Sequence, residues 1–243
     1  MGDLRLTFIG SGNAFAPAGL CWNGFVVDER YLFEAPPQAL MSLHHVAIDP
    51  NAIEAVILSH HHGDHFLGMP QLLLHWKYCG RTRPVRVVGP PQTRELTERI
   101  GTIVYPGLFD IDYEIEWITA KPGQRLCLGD LEVEPVEVQH DDRLSQSLGF
   151  ACAIGRRRFA YTGDSRLCEG IFDLARHGEV LVSECASRAQ RIPIHMNLVD
   201  DIPRVREAMP ATAQLILTHT TPDVTADGLP NTRIARDYET YCF

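Results

Sequence analysis

A chain of 243 residues, 45% hydrophobic and 22% charged, has the composition of an ordinary globular protein and suits one large domain or two small ones. It holds no run of about 18 apolar residues, so no membrane span is expected. A net charge of -9 and a pI near 5.6 argue against broad electrostatic binding of nucleic acid, although a small basic patch and bound divalent cations remain compatible with that balance.

The N-terminal MGDLRLTFIGSG runs straight into an alternating strand pattern, with no basic-then-apolar leader. Strand-like segments are LRLTFIG (4–10), NGFVVD (23–28) and YLFEA (31–35). A helix is expected over 36–46, then a buried strand, AIEAVILS (52–59). The next helix carries apolar Met69, Leu72, Leu73 and Trp76 on one face. VRVVGP (85–90) reads as a strand and PQTRELTERIGTIV (91–104) as a helix with proline near its start. The second half opens with strands YEIEWITA (113–120), LEVEPVEVQH (131–140), SLGFACAI (147–154) and RFAYTGD (158–164), the last two forming a hairpin that turns at GRR. Helix 167–177, strand EVLVSEC (179–185), helix 198–209, strand AQLILTH (213–219) and a C-terminal helix near 232–242 follow. Strand-rich blocks end in helices twice, which two sheets with helices outside would explain. Seven scattered cysteines, odd in number and without a CxxC pair, fit reduced thiols in a cytoplasmic protein.

Four of the eleven histidines lie within VILSHHHGDH, the stretch that follows the buried strand. Residues two apart in extended backbone face the same side, so His60 and His62 can converge on one point. Asp64 and His65 fall at the turn into the next helix and can face another. Imidazole and carboxylate donors at this spacing suit zinc, manganese or iron. His140, Asp164 and His219 each end an apolar strand pattern, where a sheet delivers side chains to one edge. Taken singly, each is explained as well by a strand cap or a turn. Together with the cluster they make seven donors, enough for two metals with one bridging carboxylate.

The order HxHxDH … H … D … H resembles the metallo-β-lactamase superfamily. FIGSGNAFAP, GRTRPVRVVGPPQTRE, FAYTGDS, LVSEC and HMN resemble its RNase Z-like phosphodiesterase branch. The resemblance implies one domain over 1–243 with an α/β fold: a four-layer αββα sandwich of two mixed sheets flanked by helices. It implies that His60, His62 and His140 hold one metal, that Asp64, His65 and His219 hold the other, and that Asp164 bridges. Two divalent ions, zinc in this branch with manganese or iron also compatible, would carry a bridging hydroxide, and Asp64 can orient it. The leaving alkoxide still needs a proton. His195 of IPIHMN matches the branch's proton donor, and Glu184 matches the glutamate that steers it, at a spacing shorter than is usual for RNase Z.

The implied function is a binuclear metal-dependent hydrolase of phosphodiesters. No Gly/Pro-rich basic arm of the kind that docks tRNA is visible between His65 and His140, so a small phosphodiester or other ester is expected ahead of RNA. Arg81, Arg83 and Arg86, and Arg156, Arg157 and Arg158, are the candidate RNA contacts. A homodimer is common in the branch. The alternatives are a carbonyl-ester hydrolase (lactonase, thioesterase, β-lactamase-like or glyoxalase II-like) using the same donors, and a metal-binding protein without turnover. A flavo-di-iron oxidoreductase would need a flavin domain for which the chain has no room. His61 should point away from the other histidines, and His44, His45, His75 and His177 read as structural. GSGNAF (10–15) lacks dinucleotide-binding spacing. Its glycines let a loop run close beside the metals, with Asn13 a candidate substrate contact. Cys185 reads as packing, and Asp141–Arg143 as a support for His140 or a solvated turn.

Overall fold

The computed structural model describes residues 4–226 and 228–243. They fall into two compact units, one holding the chain up to Gly10 with Cys21–Ala120 and Asp237–Phe243, the other holding Ser11–Leu20 and Lys121–Arg236. Each unit is built on one seven-stranded sheet.

In the first unit β1 (Arg5–Gly10), β2 (Gly24–Val27) and β3 (Tyr31–Phe33) form an antiparallel meander. From β3 the sheet continues in parallel through β4 (Ala55–Ile57), β5 (Val85–Gly89) and β6 (Ile115–Thr119). β2, β3 and β4 are buried at every position, as sheets covered on both faces require, and so read as unbroken apolar runs. The crossovers carry α1 (Ala39–His45), α2 (Gly63–Phe66), α3 (Met69–Tyr78) and α4 (Thr93–Val104). α3 buries Met69, Leu72, Leu73 and Trp76 at helical spacing, joining Leu32, Val56 and Val87 in one core. The start of α3 lies so close to the end of β3 that a Cβ on Gly68 would stand 2.1 Å from the Pro36 carbonyl oxygen. Only glycine permits that approach.

In the second unit β7 (Leu126–Leu128), β8 (Leu131–Glu137), β9 (Leu148–Ile154) and β10 (Arg157–Tyr161) are antiparallel neighbours. The β9–β10 hairpin turns at Gly155 and Arg156, with Gly155 at φ 58, the positive value a II′ turn needs at its first central residue. After α5 (Glu169–His177), strands β11 (Val180–Glu184), β12 (Gln214–Thr218) and β13 (Thr232–Ile234) extend the sheet in parallel, with α6 (Ile202–Ala208) between β11 and β12. Ile171, Leu174, Ile202 and Val205 of the helices pack with Leu181, Leu215 and Leu217 of the sheet.

The helix expected near 232–242 does not form. Thr232 and Ile234 pair with Leu215 and Leu217, and β14 (Thr240–Cys242) pairs antiparallel with β1. The Thr240 hydroxyl lies 2.9 Å from that of Thr7, and the Tyr241 ring meets Phe8 edge-on at 5.6 Å. Cross-strand partners distant in sequence override the local helical pattern here. The short β7 was not expected. All seven cysteines are free thiols, and among the described residues no helix is long and apolar enough to cross a membrane.

Candidate metal centre

The first donor group is built at the C-terminal end of β4. The backbone leaves the strand still extended, with His62 at φ -64 and ψ 148 before α2 begins. Alternation therefore sends His60 and His62 one way and His61 the other. The His60 ring lies 4.7 Å from that of His62 and 4.3 Å from that of His65. His60 and His65 are fully buried. His60 Nδ1 is 2.9 Å from the Ser59 hydroxyl, which leaves Nε2 as the nitrogen that could ligate a metal. His65 Nε2 stands 3.2 Å from Asp64 Oδ2.

His61 turns away, as expected. Its Nε2 is 2.8 Å from Thr93 Oγ1, whose own proton goes to the Pro90 carbonyl at 2.7 Å. Thr93 must therefore accept, and Nε2 carries the hydrogen. Burial pushes the His61 pKa down to about 4, so the ring is neutral at pH 7.

Glu34 is a member of this group that the sequence reading passed over. It ends β3, beside β4, and is fully buried at φ 65. Oε1 lies 3.6 Å from His65 Nδ1, and Oε2 accepts the Ser59 N–H at 3.3 Å. No hydrogen bond reaches Oε1 among the described residues. A buried carboxylate needs a positive charge nearby. A cation held by His65 would provide it, with Glu34 fixing the ring from behind in the carboxylate–histidine–metal manner. The available signal was a charged residue closing an apolar strand, the same signal that marked Asp164.

The second donor group sits where β8, β10, β11 and β12 end. Beyond β8 the backbone stays extended, with Val138 N–H donating to Ser147 and Gln139 bridged to Arg166. His140 follows, and its Nδ1 donates to the Ile194 carbonyl at 2.9 Å, which leaves Nε2 as the basic nitrogen, 3.9 Å from Asp164 Oδ2. The same Asp164 oxygen is 3.3 Å from His219 Nε2. His219 occupies the left-handed region at φ 54, a strained conformation for a side chain with a Cβ. His140, Asp164 and His195 each offer a donor within 4.8 Å of the others, as do Glu184, His195 and His219. Imidazoles and carboxylates at this density fit a divalent transition-metal ion.

Glu184 is fully buried and accepts four donors. Its Oε1 receives Ser165 N–H at 3.1 Å, Met196 N–H at 3.2 Å and His195 Nδ1 at 3.1 Å, while Oε2 receives Ala186 N–H at 3.0 Å. The short chain spacing between the two residues is therefore no obstacle to their pairing. The His195 ring is 4.8 Å from that of His140 and stacks on that of His219 at 5.2 Å.

Other sequence candidates resolve as structural. His45 rests on Tyr238, His44 meets His75, and His177 Nε2 donates to the Cys152 carbonyl. Cys185 is fully buried, and burial pushes its thiol well up. Arg143 clasps Asp141 with both its Nε and a terminal nitrogen, closing the turn after His140. Arg81 is buried and donates to the carbonyls of Ile53, Arg83 and Pro84, while Arg86 pairs with Glu116 and Arg157 with Glu179. Those three arginines are spent within the protein. Asn13 is likewise occupied: its Nδ2 donates to Ala186 O at 3.0 Å, and its Oδ1 accepts Phe15 N–H at 3.1 Å. The expected substrate contact by Asn13 is thus replaced by a scaffolding role, and the loop it holds bridges Gly12 to Thr220, next to His219.

The chain is 27% identical over 171 residues to a ribonuclease Z of Methanosarcina acetivorans, an alignment covering 69% of this chain and 54% of that protein, so the chain spans about half the length of this relative. Its structure is similar to that of the metallo-beta-lactamase fold protein YhfI from Bacillus subtilis, with TM-score 0.81 and 20% identity over 100% of both chains. It is also similar to the short form of human tRNase Z, with TM-score 0.78 and 18% identity over 98% of each. The two mixed sheets with flanking helices are thus the metallo-β-lactamase fold. A family model described as the beta-lactamase superfamily domain matches residues 29–220, well over half of the sequence, and the chain belongs to that family.

Proposed function

We propose that the protein is a binuclear metal-dependent phosphodiesterase. The observation that carries this reading is the Glu184–His195 pair, a buried carboxylate 3.1 Å from the Nδ1 of an imidazole packed against His140 and His219. In the proposed site His60, His62 and His140 hold one ion, Asp64, His65 and His219 hold the second, and Asp164 is shared. Zinc suits the donors best, and manganese or iron are compatible. When bound, the two ions supply a nucleophile at neutral pH and neutralise charge on the phosphoryl oxygens.

The protein's own groups supply the rest. Asp64 orients the attacking oxygen. Glu184, immobilised by three backbone N–H donors, holds the Nδ1–H of His195 and favours the ring's cationic form. His195 then presents Nε2–H to the oxygen that leaves. An alkoxide leaving from phosphorus needs that proton, whereas a thiolate does not. A placed acid thus favours a phosphodiester over a thioester. The engagement of Arg81, Arg86 and Arg157 within the protein, and the absence of a basic arm among the described residues, favour a small phosphodiester over RNA.

The test is His195→Ala in zinc-reconstituted protein, assayed on an alkyl phosphodiester, a lactone and a β-lactam in parallel. Phosphodiester turnover should dominate in the parent and fall by about 10²–10⁴-fold in the variant with metal content unchanged. Undiminished turnover would remove His195 from the mechanism. A parent active only on the lactone or the β-lactam would replace the reading with a carbonyl-ester hydrolase.

A further inference from the structure

The loop Ser11–Leu20 displays one large apolar side chain to solvent. Phe15 is 84% exposed, the most exposed large hydrophobic residue among those described. An isolated exposed phenylalanine is ordinary on a protein surface. This one is set apart by how its backbone is held. Thr220 N–H donates to Ser11 O at 2.9 Å and Asn13 N–H donates back to Thr220 O at 3.3 Å, tying the loop to the residue after His219. Buried Asn13 reaches Ala186 O at 3.0 Å with one end of its amide and takes Phe15 N–H with the other. Ala186 in turn donates its N–H to Glu184 Oε2. One short chain of hydrogen bonds therefore runs from the Phe15 backbone to the carboxylate that holds His195.

The loop is also strained. Ala16 and Ala18 have φ of 44 and 55, left-handed values that a residue with a Cβ adopts at a cost. Ala16 N–H closes a turn on Asn13 O at 2.9 Å, which leaves Phe15 at the turn's outer corner. A side chain free to fold down onto apolar surface would normally do so. Here the clamped backbone carries an exposed aromatic ring two residues from Asn13, which is tied to Thr220, next to His219, and to Ala186, whose N–H is held by Glu184.

We propose that Phe15 is a specificity-determining residue that stacks on an aromatic ring, a nucleobase or an aryl group, borne by the phosphodiester. The proposal rests on the phosphodiesterase reading for its substrate class and extends it: the preferred small phosphodiester has an aromatic substituent. Stacking of this kind is sequence-tolerant, because every base offers a π-face. It needs no basic trench.

Two measurements test it. In the first, kcat/KM is determined for the p-nitrophenyl ester of thymidine 5′-monophosphate and for methyl p-nitrophenyl phosphate, in the parent, Phe15→Ala and Phe15→Trp. The parent should prefer the thymidine ester. Phe15→Ala should cut that preference about 5- to 140-fold through KM, the range that loss of one base–aromatic stack implies, and Phe15→Trp should restore it. In the second, equilibrium binding of thymidine 5′-monophosphate is compared with that of ribose 5-phosphate, which needs no turnover. The parent should favour the nucleotide, and Phe15→Ala should remove the difference. Equal loss for both esters, or binding without preference in the parent, overturns the stacking role. A nucleotide preference that depends on Phe15 in a protein that hydrolyses neither ester would sustain the stack and sink the phosphodiesterase reading.

Discussion

Replacing Glu184 with glutamine gives the most direct test of how His195 is prepared for its work. The carboxylate takes three of its four donors on Oε1 and one on Oε2. Glutamine has a single acceptor oxygen, which will occupy the Oε1 place. Its NH2 then faces the Ala186 N–H, and that hydrogen bond is lost. Charge-assisted bonds contribute roughly 1.5–3 kcal/mol each and neutral ones about 1. One lost bond and three weakened ones sum to a destabilisation of at least about 3 kcal/mol, readable by denaturant unfolding. The effect on catalysis is separate. The imidazole keeps a partner that fixes its tautomer but loses the anion that favours its protonated form. That difference of roughly 1–2 kcal/mol corresponds to about a 5- to 30-fold fall in rate where the leaving group needs a full proton. A p-nitrophenolate leaves as a stable anion and needs little help, so bis-p-nitrophenyl phosphate should lose only a few-fold while an alkyl phosphodiester loses the full factor. Equal losses on the two substrates, at unchanged metal content, would refute the argument that Glu184 acts through the acid.

The remaining predictions concern the first donor group. Glu34→Gln keeps the size of the side chain but removes the charge 3.6 Å from His65 Nδ1. Metal affinity should fall by about 10–100-fold in chelator competition, and an unchanged affinity would show that Glu34 does not support the ligand. His61 predicts a pH effect on stability. Its folded pKa of about 4 lies below the ordinary 6.5. Between those values the unfolded chain binds the extra proton, so stability falls as pH drops from about 6.5 towards 4. The full gap corresponds to roughly 3 kcal/mol, and about 2 after allowing for the ring's partial exposure. His61→Gln should flatten that part of the stability–pH curve in metal-free protein, and a curve parallel to the parent's would refute the neutral-ring assignment.

How much of this was legible in the sequence follows from the range over which each feature is determined. The HxHxDH spacing is a local fact: extended backbone alternates, and the structure obeys by sending His60 and His62 one way and His61 the other. Asp164 and His219 were legible because the strands before them end in buried apolar runs, so the polar residue that follows is conspicuous, whereas His140 was legible because it follows the half-buried alternation of antiparallel β8. Local sequence is silent where a partner distant in the chain decides the outcome. Residues 232–242 became two strands because β12 and β1 offered open edges. Arg81 looks like any surface arginine until the carbonyls of Ile53 and Pro84 close around it.

Glu34 is the informative case, because it obeyed the rule that found the others and was still missed. It closes the apolar run of β3 as Asp164 follows that of β10, and both are buried carboxylates at the ends of sheet strands. The difference is that Glu34 matches no position of the HxHxDH … H … D … H order. A reading led by the motif stops at the residues that the motif names, whereas a reading led by the physics asks which strand ends carry charge and what neutralises it. Asked of this chain, the second question returns the proposed metal donors together with Glu184 and Glu34, the two carboxylates that each stand behind a histidine, one beside the proposed acid and one beside a proposed ligand. The same burial that makes such a carboxylate costly without a cation makes its hold on a ring rigid once the cation is bound. That is why Glu34 should reveal itself in metal affinity, and Glu184 in leaving-group dependence as well as in stability.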